Sequence, residues 1–210
     1  IVVEVRALDA ESAIESTLIG DFNAENLLVA LGVLIAWDVP LAEACDALSR
    51  CGGVPGRMQL HGGNDSPWVV VDYAHTPDAL ARALETLRKI SRGDIWCVFG
   101  CGGQRDVEKR PAMGSAAAAF ADHVVLTDDN PREEDPGAIV ADIRTGLVGH
   151  PDVWIEHDRR RAIVEAIGHA SPGDVVLIAG KGHEESQLIG GQVRALSDQA
   201  VVADALGGLT

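Results

Sequence analysis

No run of apolar residues approaches the ~20 that a helix needs to cross a bilayer, although 47% of the 210 residues are hydrophobic. The opening stretch, IVVEVRALDAE, has neither the basic start nor the small-residue cleavage site of a secretory leader. Both absences predict a cytoplasmic chain. Positive charge is also scarce: 17 Lys and Arg stand against 32 Asp and Glu, a formal net charge of −15. Nucleic acids and anionic membrane surfaces are attracted by basic patches, so neither is expected as a partner. An acidic protein that binds an anion must do so locally, with its few arginines and its loop amides. Cys45, Cys51, Cys97 and Cys101 fall at spacings that fit neither a disulfide framework nor a zinc site. They are expected to be reduced and mostly buried in a reducing compartment, and no metal site is expected.

What is present is a change of pattern along the chain. Residues 1–8, IVVEVRAL, alternate like a strand. A long segment, apolar on most faces, follows from Ile19 to Trp37, where Asp21 or Asn23 can cap a helix, and Pro40 opens a second helix. The glycine-rich CGGVPG of residues 51–56 reads as a linker, which places a domain boundary between residues 54 and 55. Beyond it, short strands that are apolar throughout alternate with amphipathic helices: PWVVVDYA, DIWCVFG, HVVLT, DVWIE and DVVLIAG are each followed by a helical pattern. Strands without a polar face imply a mostly parallel sheet covered on both sides. The expected fold class is α/β, with a Rossmann-like domain over residues 55–210.

Ligands in such sheets bind beyond the carboxyl ends of the strands, so the loops after Asp72, Gly100, Thr127, Glu156 and Gly180 carry the functional information. In VDYAHTPDAL, Asp72 can accept hydrogen bonds from a ribose diol, or Asp72 and His75 are turn residues ahead of a helix capped by Thr76. In FGCGGQRDVEKRPAMG, the glycines allow close backbone approach, while Arg105, Lys109 and Arg110 concentrate positive charge. The third glycine of a dinucleotide fingerprint is missing, which argues against hydride transfer. In TDDNPREEDP, Asn130-Pro131 makes a turn and the acids precede a helix N-terminus. That leaves Arg132, whose planar fork suits a carboxylate ligand. Beside acids and amides it would read a zwitterion. In AGKGHEESQ, the Walker pattern is incomplete, and Glu184 either holds an ammonium group or belongs to a glycine turn with solvated charges. DRRRAI reads as a helix capped by Asp158 whose arginines, Arg159 to Arg161, form a solvated face. His123 reads as structural.

Taken in series, GDFNAENLLVA, PGRMQ, VDYAHTPDAL, FGCGGQRDVEKRPAMG, TDDNPREEDP and AGKGHEE closely resemble the Mur ligases, and within them the diaminopimelate-adding branch. The resemblance covers nearly the whole chain. It implies a cytoplasmic, monomeric, ATP- and Mg2+-dependent ligase of peptidoglycan precursor synthesis. That enzyme would join meso-diaminopimelate to UDP-N-acetylmuramoyl-L-alanyl-D-glutamate through an acyl phosphate. It further implies that residues 1–54 are the C-terminal part of the central ATPase domain and 55–210 the C-terminal domain. Carried over by motif, Asn26, Arg57, Asp72 and His75 would contact ATP. Arg105, Asp129, Asn130, Pro131, Arg132, Gly180 and Glu184 would contact diaminopimelate. The family's P-loop, its magnesium ligands and its modified lysine have no counterpart in this sequence, so the catalytic residues are expected upstream of Ile1 and the chain alone is expected to be inactive. Two other readings fit the architecture: a folylpolyglutamate-synthetase-like ligase, and a non-catalytic Rossmann module that binds a nucleotide or a protein partner.

Overall fold

The computed structural model describes residues 1–7 and 10–208, and Leu8, which the alternating pattern includes in the first strand, lies outside them. The chain divides into two compact units, Ile1–Val54 and Pro55–Thr210. None of the described helices is long and apolar enough to cross a membrane.

In the first unit, β1 (Val2–Ala7) and β2 (Ala10–Glu15) form an antiparallel pair, followed by α1 (Asp21–Ala36) and α2 (Leu41–Ser49). The buried positions of α2, Ala44, Cys45 and Leu48, recur at the spacing of one helix face. They pack with Leu27 and Leu31 of α1 and with Ile14 of β2. Capping of α1 differs from expectation: its N-cap is Gly20, no side chain caps it, and Asn23 instead donates its Nδ2 to the carbonyl of Ile19 at 2.8 Å. Only Leu27 and Leu31 of this apolar helix are buried.

The second unit is built on a six-stranded sheet: β3 (Gln59–Gly62), β4 (Trp68–Asp72), β5 (Ile95–Phe99), β6 (His123–Leu126), β7 (Val153–Ile155) and β8 (Val175–Ala179) lie in the order β3-β4-β8-β5-β6-β7. All neighbours are parallel except β3, which is an antiparallel edge strand. Five buried residues in each of β5 and β8 are what a strand covered on both faces requires. The connections through α3 (Pro77–Ile90), α4 (Lys109–Phe120) and α5 (Pro136–Arg144) run toward β7, and the return to β8 runs through α6 (Arg159–His169). Because such crossovers keep one hand, reversing direction puts α6 on the opposite face from α3. Accordingly Val69, Val71, Val98, Val176 and Ile178 pack with Ala162, Ile163 and Ile167 of α6 and with Val201 and Val202 of α7 (Asp198–Gly207). The late insertion of β8 between β4 and β5 makes a switch point, and the loops on its carboxyl side diverge there.

Four strands are not anticipated from the sequence: β2, β3, β9 (Ser186–Ile189) and β10 (Gln192–Ala195), the last two forming a separate hairpin. The arginines of α6 also divide. Asp158 caps the helix, accepting from the Arg161 amide, and Arg160 and Arg161 lie at the surface. Arg159, however, is fully buried rather than solvated: its Nε and Nη2 grip both oxygens of Asp198 at 2.8 Å, and Nη2 also donates to the carbonyl of Ala179. The cap turns the first helical residue inward, where the first turn of α7 supplies its carboxylate. Cys45, Cys97 and Cys101 are buried free thiols, whereas Cys51 is exposed.

Candidate functional site

Four loops at the carboxyl edge, those after β4, β5, β6 and β8, surround a cleft of about 400 Å³. The loop after β7 does not reach it. The loops approach each other because glycine stands where they touch: a Cβ on Gly100 would overlap the carbonyl oxygen of Thr127, and one on Gly103 that of Pro131. Gly180 has φ +112°, and a Cβ there would come within 2.8 Å of Asp129 Oδ2.

The acids that follow Arg132 are explained by another arginine. Arg110, fully buried at the start of α4, donates to both oxygens of Glu134 at 2.6 and 2.8 Å and to one oxygen of Asp142 at 2.9 Å. It is therefore withdrawn from the cleft, contrary to the sequence expectation that groups it with Arg105 and Lys109. Glu134 Oε2 also accepts the amide of Gln104 at 2.9 Å, next to Arg105. The Arg110 guanidinium and this amide hold the Glu134 carboxyl at about 2, well below its ordinary value. Asp135 caps α5. Glu134 thus ties the loop after β5 to the loop after β6.

Arg132 itself adopts φ +57°, a conformation that costs an L-residue energy. It is held there by β9: its amide donates to the Leu188 carbonyl at 2.9 Å, and its carbonyl accepts from the Gly190 amide. Its Nη1 donates to the Gly103 carbonyl at 2.8 Å. The guanidinium then flanks Gly102 in the cleft.

Of the residues singled out by motif, Arg105, Asp129, Asn130, Arg132, Gly180, Glu184 and His75 line this one cleft. Pro131 does not line it but supplies the carbonyl against which Gly103 rests. Arg57 stands beside the cleft, its guanidinium 4.5 Å from the ring centre of Tyr73, and Tyr73 is a lining residue. Asp72 is buried behind it, its two oxygens accepting the amides of Met58 and Ala74 at 2.8 Å each. Asn26 belongs to the first unit and is exposed.

The electrostatics of the cleft are mixed. Arg105, Lys109 and Arg132 face Asp129 and Glu184, and Lys109 Nζ is anchored on the His75 carbonyl at 2.8 Å. Cys101 also lines the cleft, but burial pushes its thiol up to about 12, so it is neutral and not a nucleophile. Lys181, expected among solvated charges, is instead fully buried and paired with Glu184 at 2.9 Å. Tyr73, Lys181 and the backbone of β9 were missed by sequence reasoning. The hairpin had a signal, since SQLI and QVRA flank Gly190-Gly191 in the manner of a two-residue turn. Nothing local marks Lys181 as buried.

The family model for the Mur ligase glutamate ligase domain matches residues 56–182. A solved UDP-N-acetylmuramoyl-L-alanyl-D-glutamate–2,6-diaminopimelate ligase is 43% identical over 98% of this chain, with a TM-score of 0.74. The chain belongs to the Mur ligase family. It spans 42% of the length of that diaminopimelate ligase. The fold also recurs in UDP-N-acetylmuramate-alanine ligase from Thermotoga maritima, 19% identical over 94% of this chain and 40% of that one at a TM-score of 0.67. Folylpolyglutamate synthase from the same organism is 21% identical over 82% and 39%, at 0.63. These two share the architecture alone.

Proposed function

We propose that the chain is the C-terminal part of an ATP-dependent amide ligase. That ligase adds meso-diaminopimelate to UDP-N-acetylmuramoyl-L-alanyl-D-glutamate in the cytoplasm, as a monomer. Residues 1–54 would then be the end of its central domain and 55–210 its C-terminal domain. The observation that carries this reading is the meeting of Arg132, Arg105, Asp129 and Glu184 in one cleft. Diaminopimelate has an amino-acid head group at each end. Two guanidinium groups and two carboxylates complement one such head, with Arg132 and Arg105 facing its carboxylate and Asp129 and Glu184 its ammonium. An ammonium held between carboxylates stays protonated, so the gripped end is not the nucleophile. The amine at the other end is left free to attack.

Bound ATP would supply the phosphoryl group that turns the acceptor carboxylate into an acyl phosphate. Asn26, Arg57, Asp72 and His75 are assigned to the nucleotide by their motifs. The Arg57–Tyr73 stack and the lone pairs left on Asp72 support that assignment. Among the described residues no group of three or more His, Cys, Asp or Glu could hold a metal ion, so magnesium coordination is not assigned to them. The 210 residues contain no P-loop, and by themselves they should not turn substrate over.

The test is substrate choice in the complete ligase. Lysine has no distal carboxylate and would leave Arg132 without its partner, at a cost of roughly 1–3 kcal/mol. Lysine should therefore be used roughly 5 to 150 times less efficiently than diaminopimelate, and Arg132→Ala should raise the KM for diaminopimelate while leaving that for ATP unchanged. Equal efficiency with lysine would refute the substrate assignment.

A further inference from the structure

We propose that Lys181 is a positioning residue of this site: its buried ammonium fixes the Glu184 carboxylate and the Asn130 amide so that Glu184 presents one free oxygen to the substrate ammonium. The inference rests on the amino-acid-binding reading above and names a residue which that reading leaves unassigned. Lys181 is 0% exposed and is not among the residues that line the cleft. It therefore acts on a ligand only through its neighbours. A buried ammonium is costly unless it is paired and hydrogen-bonded, and Lys181 meets that condition with Glu184 Oε2 at 2.9 Å and Asn130 Oδ1 at 3.3 Å.

The network has one consistent orientation. Asn130 Oδ1 also accepts the Leu188 amide at 2.9 Å, so two donors define it as the oxygen. The amide nitrogen is then committed to Glu184 Oε2, at 3.1 Å. Oε2 thus takes two hydrogen bonds, and Oε1 has none among the described residues. The turn that carries the pair is equally constrained: Glu184 donates its amide to the Lys181 carbonyl at 2.9 Å, and Gly182, at φ +55°, abuts Gly56 and Tyr73. Charge follows geometry here. Burial alone would raise the Glu184 pKa, but the bond and charge of Lys181, with Asn130, reverse this and lower it. Without the lysine, burial would push the Glu184 pKa back upward, and its hold on an ammonium would fail at a higher pH.

The experiment compares Lys181→Met, Glu184→Gln and the double variant in the complete ligase. It measures kcat and the KM for diaminopimelate and for ATP across the acid side of neutrality. Lys181→Met should raise the KM for diaminopimelate about tenfold, equivalent to about 1.4 kcal/mol, and leave the KM for ATP unchanged. It should also move the acid limb of kcat/KM for diaminopimelate to higher pH, which a purely structural defect would not do. In the Glu184→Gln background the same substitution should add little, and Lys181→Arg should restore the acid limb. Additive effects, an unmoved acid limb, or equal increases in both KM values would overturn the role of Lys181. Failure of the substrate reading looks different: Glu184→Gln and Arg132→Ala would then also leave the diaminopimelate KM unchanged. Should Lys181→Met not fold, Lys181→Gln, which keeps a donor without the charge, carries the same comparison.

Discussion

Glu134 closes on Arg110, with both carboxylate oxygens within 2.8 Å of the guanidinium, and not on Arg132 two residues before it in the chain. The acidic stretch around Arg132 is thus mainly a clamp between loops, and Arg132, anchored through Nη1 on the Gly103 and Asn130 carbonyls, forms no ion pair among the described residues. Glu134→Gln should leave the buried Arg110 with Asp142 as its one charged partner and cost about 2 kcal/mol of stability, measured by chemical denaturation. The wild-type contribution should be present above pH 4.5, the ordinary value for this carboxyl, and be lost as pH falls toward its folded value of about 2. Glu134→Gln should lack that acid-dependent component.

Gly103 tests whether the loop spacing matters to the site apart from the charges. A Cβ there must push the loop after β5 away from Pro131, carrying with it the carbonyl that anchors Arg132. Gly103→Ala should weaken diaminopimelate binding about tenfold or more, read as KM in the complete ligase, with kcat far less affected. Gly168→Ala, where a Cβ meets nothing within 4 Å, is the control and should leave both constants unchanged.

The alternation of apolar strands with amphipathic helices sufficed to recognise the sheet, because β5, β6 and β8 carry no polar residue facing out except His123 at an end. The carboxyl-edge loops were legible for the same reason: a polar, glycine-rich segment after an apolar strand has few other uses. The partners of the charges were not legible. Arg110 finds Glu134 and Asp142 across 24 and 32 residues, and Arg159 finds Asp198 across 39. Such pairings are fixed only by the packing of helices on the sheet, and until then every charge resembles a solvated one. The hairpin of β9 and β10 was overlooked because its strands are short and partly polar, and its role appears only when Arg132 bonds to its edge.

Arg159 and Asp198 supply a second measurable pair. Both side chains are fully inaccessible, and burial opposes the arginine's charge while Asp198 more than compensates, so the guanidinium stays protonated. Removing one partner strands the other charge in the interior. Asp198→Ala should therefore cost about 3–5 kcal/mol. Replacing both, as Arg159→Met with Asp198→Leu, should cost less than Asp198→Ala alone, because no buried charge is left unpaired. Urea denaturation of the three chains checks the order, and a double variant weaker than the single would show that the pair contributes beyond its own neutralisation.

At the amino edge of the sheet, His123 stacks on Trp96 with ring centres 4.0 Å apart and places its two nitrogens 2.5 Å from Asp152 and 3.3 Å from Asp94. Burial pulls its pKa down, but the bonds and charges of the two aspartates outweigh this and the net shift is upward. A group whose pKa is raised on folding contributes stability that is full below its unfolded value of 6.5 and is lost as pH rises through the folded value. The wild-type chain should therefore lose stability above neutrality by about 1 kcal/mol, the scale of a partly exposed charged hydrogen bond. His123→Phe retains the stack on Trp96 but cannot titrate. Its thermal midpoint should be flat over that interval where the wild type declines, and a parallel decline in both chains would assign the pH dependence to another group.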